Sequence, residues 1–143
     1  MRFTEFDFNP GLLEGIEASG YETATPVQEQ VIPAVMAGKD IIASAQTGTG
    51  KTAAFLLPMI HKLLGSHSDG QVGALIIVPT RELAIQISQH LEGLSYFTNV
   101  SSIAIYGGND GQNFVAEKKA LQMGADIIVC TPGRMIAHIN MGY

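Results

Sequence analysis

Basic residues are scarce in this chain: 8 lysines and arginines stand against 13 aspartates and glutamates, for a formal net charge of −5. A broad basic surface, the usual electrostatic footprint of a phosphate-backbone binder, is therefore excluded. Any phosphate contact must rest on backbone amides and isolated arginines. There is one cysteine, Cys130, so no internal disulfide can form. Cys130 closes an apolar run and reads as a small core residue, and a lone thiol fits a reducing cytoplasm. Apolar runs are short, as at Ile41-Ile42-Ala43, Ala74–Val78 and Ile127–Cys130, well below the roughly 20 residues a membrane span requires. No long apolar stretch follows Met1, so no secretory signal is expected. His61, His67, His90 and His138 share no metal-ligand spacing with one another or with Cys130.

What is present is a core. Hydrophobic residues make up 46% of the 143 residues and charged residues 15%, which argues against disorder and for one domain at most. Short apolar runs alternate with helix-like segments, the pattern of an α/β protein with a mostly parallel sheet. Asn9-Pro10 and Thr25-Pro26 open two helices that stop at Gly20 and Gly38; Pro33 is expected to bend the second. A strand is expected near 40–45, a helix from Lys51 to about Leu64, a turn at Asp69-Gly70 and a buried strand at 73–78. Leu83, Ile87, Leu91 and Leu94 line one face of a helix at 81–94. A strand near 101–105, a helix at about 112–123, a strand at 126–130 and a helix opened by Thr131-Pro132 complete the expected order.

Ala45-Gln46-Thr47-Gly48-Thr49-Gly50-Lys51-Thr52 lies between an expected strand and an expected helix, the context a phosphate-binding loop needs. Gly48 and Gly50 let successive N–H groups turn inward toward phosphate oxygens, and the helix start adds its positive dipole end. Lys51 is placed to reach the terminal phosphates of ATP. The Thr52 hydroxyl is placed to ligate Mg²⁺. Ala45 stands where the general pattern has Gly. The bland alternative is a strand-to-helix turn with incidental glycines.

Together with four further segments, this loop resembles the DEAD-box RNA helicase family, in the family's order, over essentially the whole chain. Gly20–Gln28 resembles the Q motif, with Phe3 as the isolated upstream aromatic and Ala24 where the family has Pro. Pro79–Ala84 matches motif Ia, Gly107-Gly108 the GG motif and Thr131-Pro132-Gly133-Arg134 motif Ib. The resemblance implies the N-terminal RecA-like domain of a P-loop NTPase, a three-layer α/β sandwich incomplete at its C-terminus. Residues 1–38 would form the Q-motif region, and 39–143 part of the ATP-binding domain.

The resemblance further implies that Gln28 reads the adenine edge, with Phe3, Tyr21 and the Thr23 backbone beside it. A carboxamide offers the donor and acceptor that adenine requires. Thr25-x-x-Gln28 is also a capping box, the competing use of the same side chain. Thr80, Arg81, Gly107, Gly108, Thr131, Pro132, Gly133 and Arg134 are implied contacts to the RNA backbone. In a parallel sheet, Thr80 and Thr131 would both leave at the carboxyl edge, where ligands of open α/β sheets bind. Free N–H groups at a helix start plus an arginine make a phosphate site without a basic surface. The alternative is that the threonines only cap helices and the arginines are only solvated, or that the threonines do both.

The sequence contains no Asp-Glu-Ala-Asp segment, the family's source of the acidic metal ligand and of the group that places the attacking water. Asp40 and Asp126 precede their expected strands, at the edge roughly 15 Å away at about 3.3 Å per residue, and Asp110 follows the glycine pair. The whole second RecA-like domain, with its arginines for the γ-phosphate, is also expected elsewhere. The chain by itself is therefore expected to lack RNA-stimulated ATPase activity. Two other classes stay open: another P-loop ATPase or kinase, and a non-enzymatic nucleotide- or RNA-binding module.

Overall fold

The computed structural model describes residues 2–44, 50–65, 72–107 and 111–142. The chain divides into two compact units, Met1–Ser66 with Gly93–Asn99, and His67–Glu92 with Val100–Tyr143. The expected turn at Asp69-Gly70 falls outside the described residues.

The first unit is helical. After a 3-10 turn at Phe3–Phe6 come α1 (Pro10–Ala18), α2 (Pro26–Met36) and α3 (Lys51–Gly65). The starts follow from local chemistry. Asn9 accepts from the Gly11 N–H at 2.9 Å ahead of Pro10, and Thr25 caps α2 ahead of Pro26, each satisfying a donor that a helix start leaves open. Both helices stop on glycines in the left-handed region, Gly20 at φ +84 and Gly38 at φ +83. Leu12, Ile16, Ile32, Leu56, Leu57 and Ile60 are fully buried, at about 1.5–3 kcal/mol of transfer free energy each. At Gly15 the α1 backbone lies so close to the Leu94 carbonyl that a Cβ would overlap it.

The second unit carries the sheet. β1 (Ala74–Ile77), α4 (Arg81–Ser95), β2 (Ser102–Ile105), α5 (Gly111–Met123), β3 (Ile127–Cys130) and α6 (Pro132–Asn140) follow in order; the final turn of α4 belongs to the first unit. The strands are all parallel in the order β1-β3-β2, with Ala74 and Ser102 both opposite Ile127, and Ile77 and Ile105 both opposite Cys130. β3 is central and buried along its whole length, as a strand with neighbours on both sides should be. At its amino end the Asp126 carboxylate accepts from the Ser101 N–H at 2.9 Å and the Ser101 hydroxyl at 3.3 Å. That carboxylate staples two strands at the edge opposite to Thr80 and Thr131.

The expected mixed α/β class with a parallel sheet is found, and the helices begin and end close to where capping signals put them. Three details differ. Residues 40–44 form no strand: Ile42 is fully exposed and Ile41 about a third exposed, since an apolar run becomes a strand only when a ladder partner takes up its N–H and C=O groups. The strand at 73–78 is not buried throughout. Leu75 and Ile77 are 49% and 62% exposed, because β1 sits at a sheet edge and one of its faces is uncovered. On α4, Ala84 takes the fully buried place in the first turn while Leu83 is half-buried. Among the described residues no helix is long and apolar enough to cross a membrane.

Candidate functional site

In the first unit the starts of α2 and α3 are joined by one side chain. Gln28, 1% exposed, accepts from the Thr25 N–H through Oε1 at 2.8 Å and donates from Nε2 to the Gly50 carbonyl at 3.2 Å. The Thr25 hydroxyl accepts from the Gln28 N–H at 3.4 Å, so the capping box anticipated as a competing role is formed in full. Gly50 has φ +84, a conformation costly for any residue with a Cβ, and a Cβ there would run into the Gln28 carboxamide. The glycine is thus required twice, by its backbone and by its neighbour.

Lys51 is the first residue of α3 and is exposed; Thr52 follows, half-buried. Ala45, Gln46, Thr47, Gly48 and Thr49 lie outside the described residues. A cavity of about 450 Å³ opens beside Lys51, with Val27, Val31, Val35, Ile41, Ala43, Ala54 and Phe55 on its apolar side and Lys39, Asp40 and Lys51 on its charged side. Asp40 thus shares a cavity with Lys51 and is not held at an opposite sheet edge, because residues 40–44 form no strand.

The aromatic side of the expected nucleotide site is tied to the same unit. Arg2 and Thr23 form an isolated antiparallel bridge, and the Phe3 N–H donates to the Glu22 carbonyl at 3.3 Å. Phe3 therefore lies beside Tyr21, ring centroids 5.7 Å apart and edge to face. Phe3 is 2% exposed, and its other ring neighbour is Phe6 at 6.0 Å. Burial pushes the Tyr21 phenol above its usual value, which leaves it neutral at physiological pH.

In the second unit the parallel register brings three expected positions to one edge. The ladder runs on past the strands, with the Val78 N–H on the Cys130 carbonyl at 2.9 Å and the Thr131 N–H on the Ile105 carbonyl at 3.0 Å. Thr80, Gly107 and Thr131 thus follow the carboxyl ends of β1, β2 and β3. Gly108 is outside the described residues. The Thr80 hydroxyl accepts from the Leu83 N–H at 3.2 Å and so caps α4. Thr131 holds the cap position of α6 without a side-chain bond. The exposed Arg81 reaches across this edge, Nη1 donating to the Gly107 carbonyl at 3.1 Å. Pro132 and Gly133 are exposed on the first turn of α6.

Arg134 is largely withdrawn from solvent, its side chain 15% exposed. Its Nε donates to Glu117 Oε1 at 2.6 Å, and its guanidinium carbon lies 4.9 Å from the centre of the Phe114 ring. His138, 1% exposed, stacks on Phe114 at 4.1 Å and 8° and places Nε2 2.9 Å from the same Glu117 oxygen. Nothing in the reading of the sequence singled out Phe114, Glu117 or His138. Arg134 and His138 are four apart and so share a face of α6, which is a visible signal; their partners on α5 are visible only after packing.

An α/β unit with an all-parallel sheet, two helix starts at its carboxyl edge and an arginine bridging that edge has the geometry at which open α/β sheets generally bind ligands. The family model of the DEAD/DEAH box helicases matches residues 25–143, and the chain belongs to that family. It is 48% identical over 97% of its length to the ATP-dependent RNA helicase CshA of Listeria monocytogenes. It is 47% identical over 98% of its length to the ATP-dependent RNA helicase CshA of Limosilactobacillus reuteri, and 42% identical over 96% to the DEAD-box ATP-dependent RNA helicase CshA of Bacillus subtilis. The chain spans about a quarter of those proteins, 26% of the first and 27% of the other two.

Proposed function

We propose that this chain forms the nucleotide- and RNA-binding part of a cytoplasmic ATP-dependent RNA helicase, which remodels short RNA duplexes together with a second RecA-like domain. The observation that carries the reading is the Gln28–Gly50 hydrogen bond. It couples the segment proposed to read adenine to the carbonyl that opens the Lys51 helix, so the base and phosphate ends of a nucleotide meet one connected framework.

In this reading residues 1–38 form the Q-motif region and 39–143 the P-loop portion. Ala45 to Gly50 cradle the phosphates with their N–H groups and Lys51 neutralises the terminal ones. Phe3, Tyr21, Thr23 and Gln28 recognise the base. Thr52, on the first turn of α3 beside Lys51, is the residue that would hold Mg²⁺; a hydroxyl oxygen suits that hard cation, which when bound offsets phosphate charge. Thr80, Arg81, Gly107, Gly108, Thr131, Pro132, Gly133 and Arg134 hold the ribose-phosphate strand. Such contacts read the backbone and so discriminate little between sequences.

The test is binding of a fluorescent ATP analogue to the chain, with competition by ATP and GTP. Binding displaced by ATP in preference to GTP, and lost in Lys51→Ala, supports the reading. Binding indifferent to Lys51→Ala overturns it.

A further inference from the structure

We propose that Glu117 is a positioning residue for RNA: with Phe114 it holds the Arg134 guanidinium so that its remaining donors meet a backbone phosphate. The proposal rests on the RNA reading above and extends it to residues on α5. An arginine is a long, flexible side chain, and a phosphate contact normally requires it to be ordered at the moment of binding. Here the ordering is already done. Glu117 fixes Nε at 2.6 Å, the guanidinium carbon lies over the Phe114 ring at 4.9 Å from its centre, and His138 stacks on the same ring at 4.1 Å while sharing the Glu117 oxygen at 2.9 Å.

The arrangement is unfinished at one point. Arg134 Nη2 is buried with no hydrogen-bond partner among the described residues, and a buried donor left unmet is costly. Of the side chain as a whole, 15% remains exposed. A guanidinium has five donors in a planar fork; with Nε committed to Glu117 and Nη2 buried, a second acceptor meets the Nη side only as the fork turns outward. A phosphate oxygen matches that fork in shape and charge. Arg134 itself sits in the first turn of α6, with Gly133 exposed beside it, and the Gly133 and Arg134 N–H groups of that turn are offered to the same anion.

The experiment is fluorescence anisotropy of a short single-stranded uridine oligonucleotide with the whole chain at several salt concentrations, alongside ATP-analogue binding. Glu117→Ala and Arg134→Ala should each weaken RNA binding about fivefold to tenfold, with ATP-analogue affinity unchanged, and the double variant should be no worse than Arg134→Ala. Glu117→Gln, which keeps an acceptor for Nε, should retain most of the affinity. Unchanged or tighter RNA binding in Glu117→Ala, with Arg134→Ala weakened, overturns the positioning role while the RNA reading stands. Unchanged binding in Arg134→Ala overturns this proposal while the RNA reading stands on its other contacts, and no RNA binding by the parent chain sinks both. If Glu117→Ala does not fold, Phe114→Leu decides: reduced RNA affinity supports the proposal, and parental affinity overturns it.

Discussion

Gln28 bonds at once to the Thr25 N–H and the Gly50 carbonyl, 22 positions further along the chain. One carboxamide thereby closes the first turn of α2 and pins the residue that opens α3. The two bonds use different ends of the group.

Gln28→Glu keeps an oxygen for the Thr25 N–H, since Glu serves equally in a capping box, but it has no N–H for Gly50. A carboxylate buried against the Gly50 carbonyl is costly, so Gln28→Glu should lower the melting temperature and also reduce ATP-analogue affinity about tenfold or more, the discrimination expected when a buried hydrogen-bonding group is lost. Gln28→Ala should lose both, with about 1 kcal/mol of stability. Thermal melts and nucleotide titrations read the two effects apart. Equal nucleotide affinity in all three proteins would sink the adenine assignment.

Replacing a mid-helix glycine by alanine ordinarily stabilises a helix by about 1 kcal/mol. At Gly15 the sign should reverse, because the added methyl meets the Leu94 backbone, and a carbonyl cannot move aside as a flexible side chain can. A net loss of about 1–3 kcal/mol is expected for such overpacking, read as a lower urea midpoint.

Burial holds the His90 imidazole below its ordinary value near 6.5. Beneath that value the unfolded chain binds more protons than the folded one, so acid favours unfolding. Stability linked to neutral His90 is complete above pH 6.5 and is lost as pH falls toward the folded-state value. Melting temperature should therefore drop on acidification, and His90→Gln should flatten part of the slope. An identical pH profile in that variant would contradict the assignment.

No Asp-Glu-Ala-Asp segment occurs in the 143 residues, and the buried Asp126 carboxylate is spent on Ser101. A chain without that segment should bind ATP without RNA-stimulated turnover. Phosphate release measured with and without RNA, against a Lys51→Ala control, checks this. Release that needs both RNA and Lys51 would prove it wrong.

Leu75 and Ile77 stand exposed on β1 at the sheet edge, and an open apolar edge is a template for pairing with another chain. The chain should scatter light on concentration, and Leu75→Lys with Ile77→Thr should reduce that scattering. Parental scattering in the double variant would place the aggregation elsewhere.

Much of this was legible in one dimension. Asn9-Pro10 and Thr25-Pro26 announce helix starts because a cap and a fixed φ act on adjacent residues. The strands at 102–105 and 127–130 show as short apolar runs between glycines and helical periods. The carboxyl-edge grouping of Thr80, Gly107 and Thr131 follows once those strands are parallel. Residues 40–44 misled because their apolar run carries the same signal whether or not a partner strand is at hand.

By itself the sequence determined which segments become helix or strand, and it placed the family's motifs at their ends, since capping, periodicity and turn chemistry act over a few neighbouring residues. Only the tertiary structure decided that Gln28 reaches Gly50, that β1 is an edge, and that Arg134 turns onto Phe114 and Glu117. Those outcomes depend on which helix faces and strands meet, and a pair such as Glu117 and Arg134, 17 residues apart, has no energy to show until packing brings both out of water together.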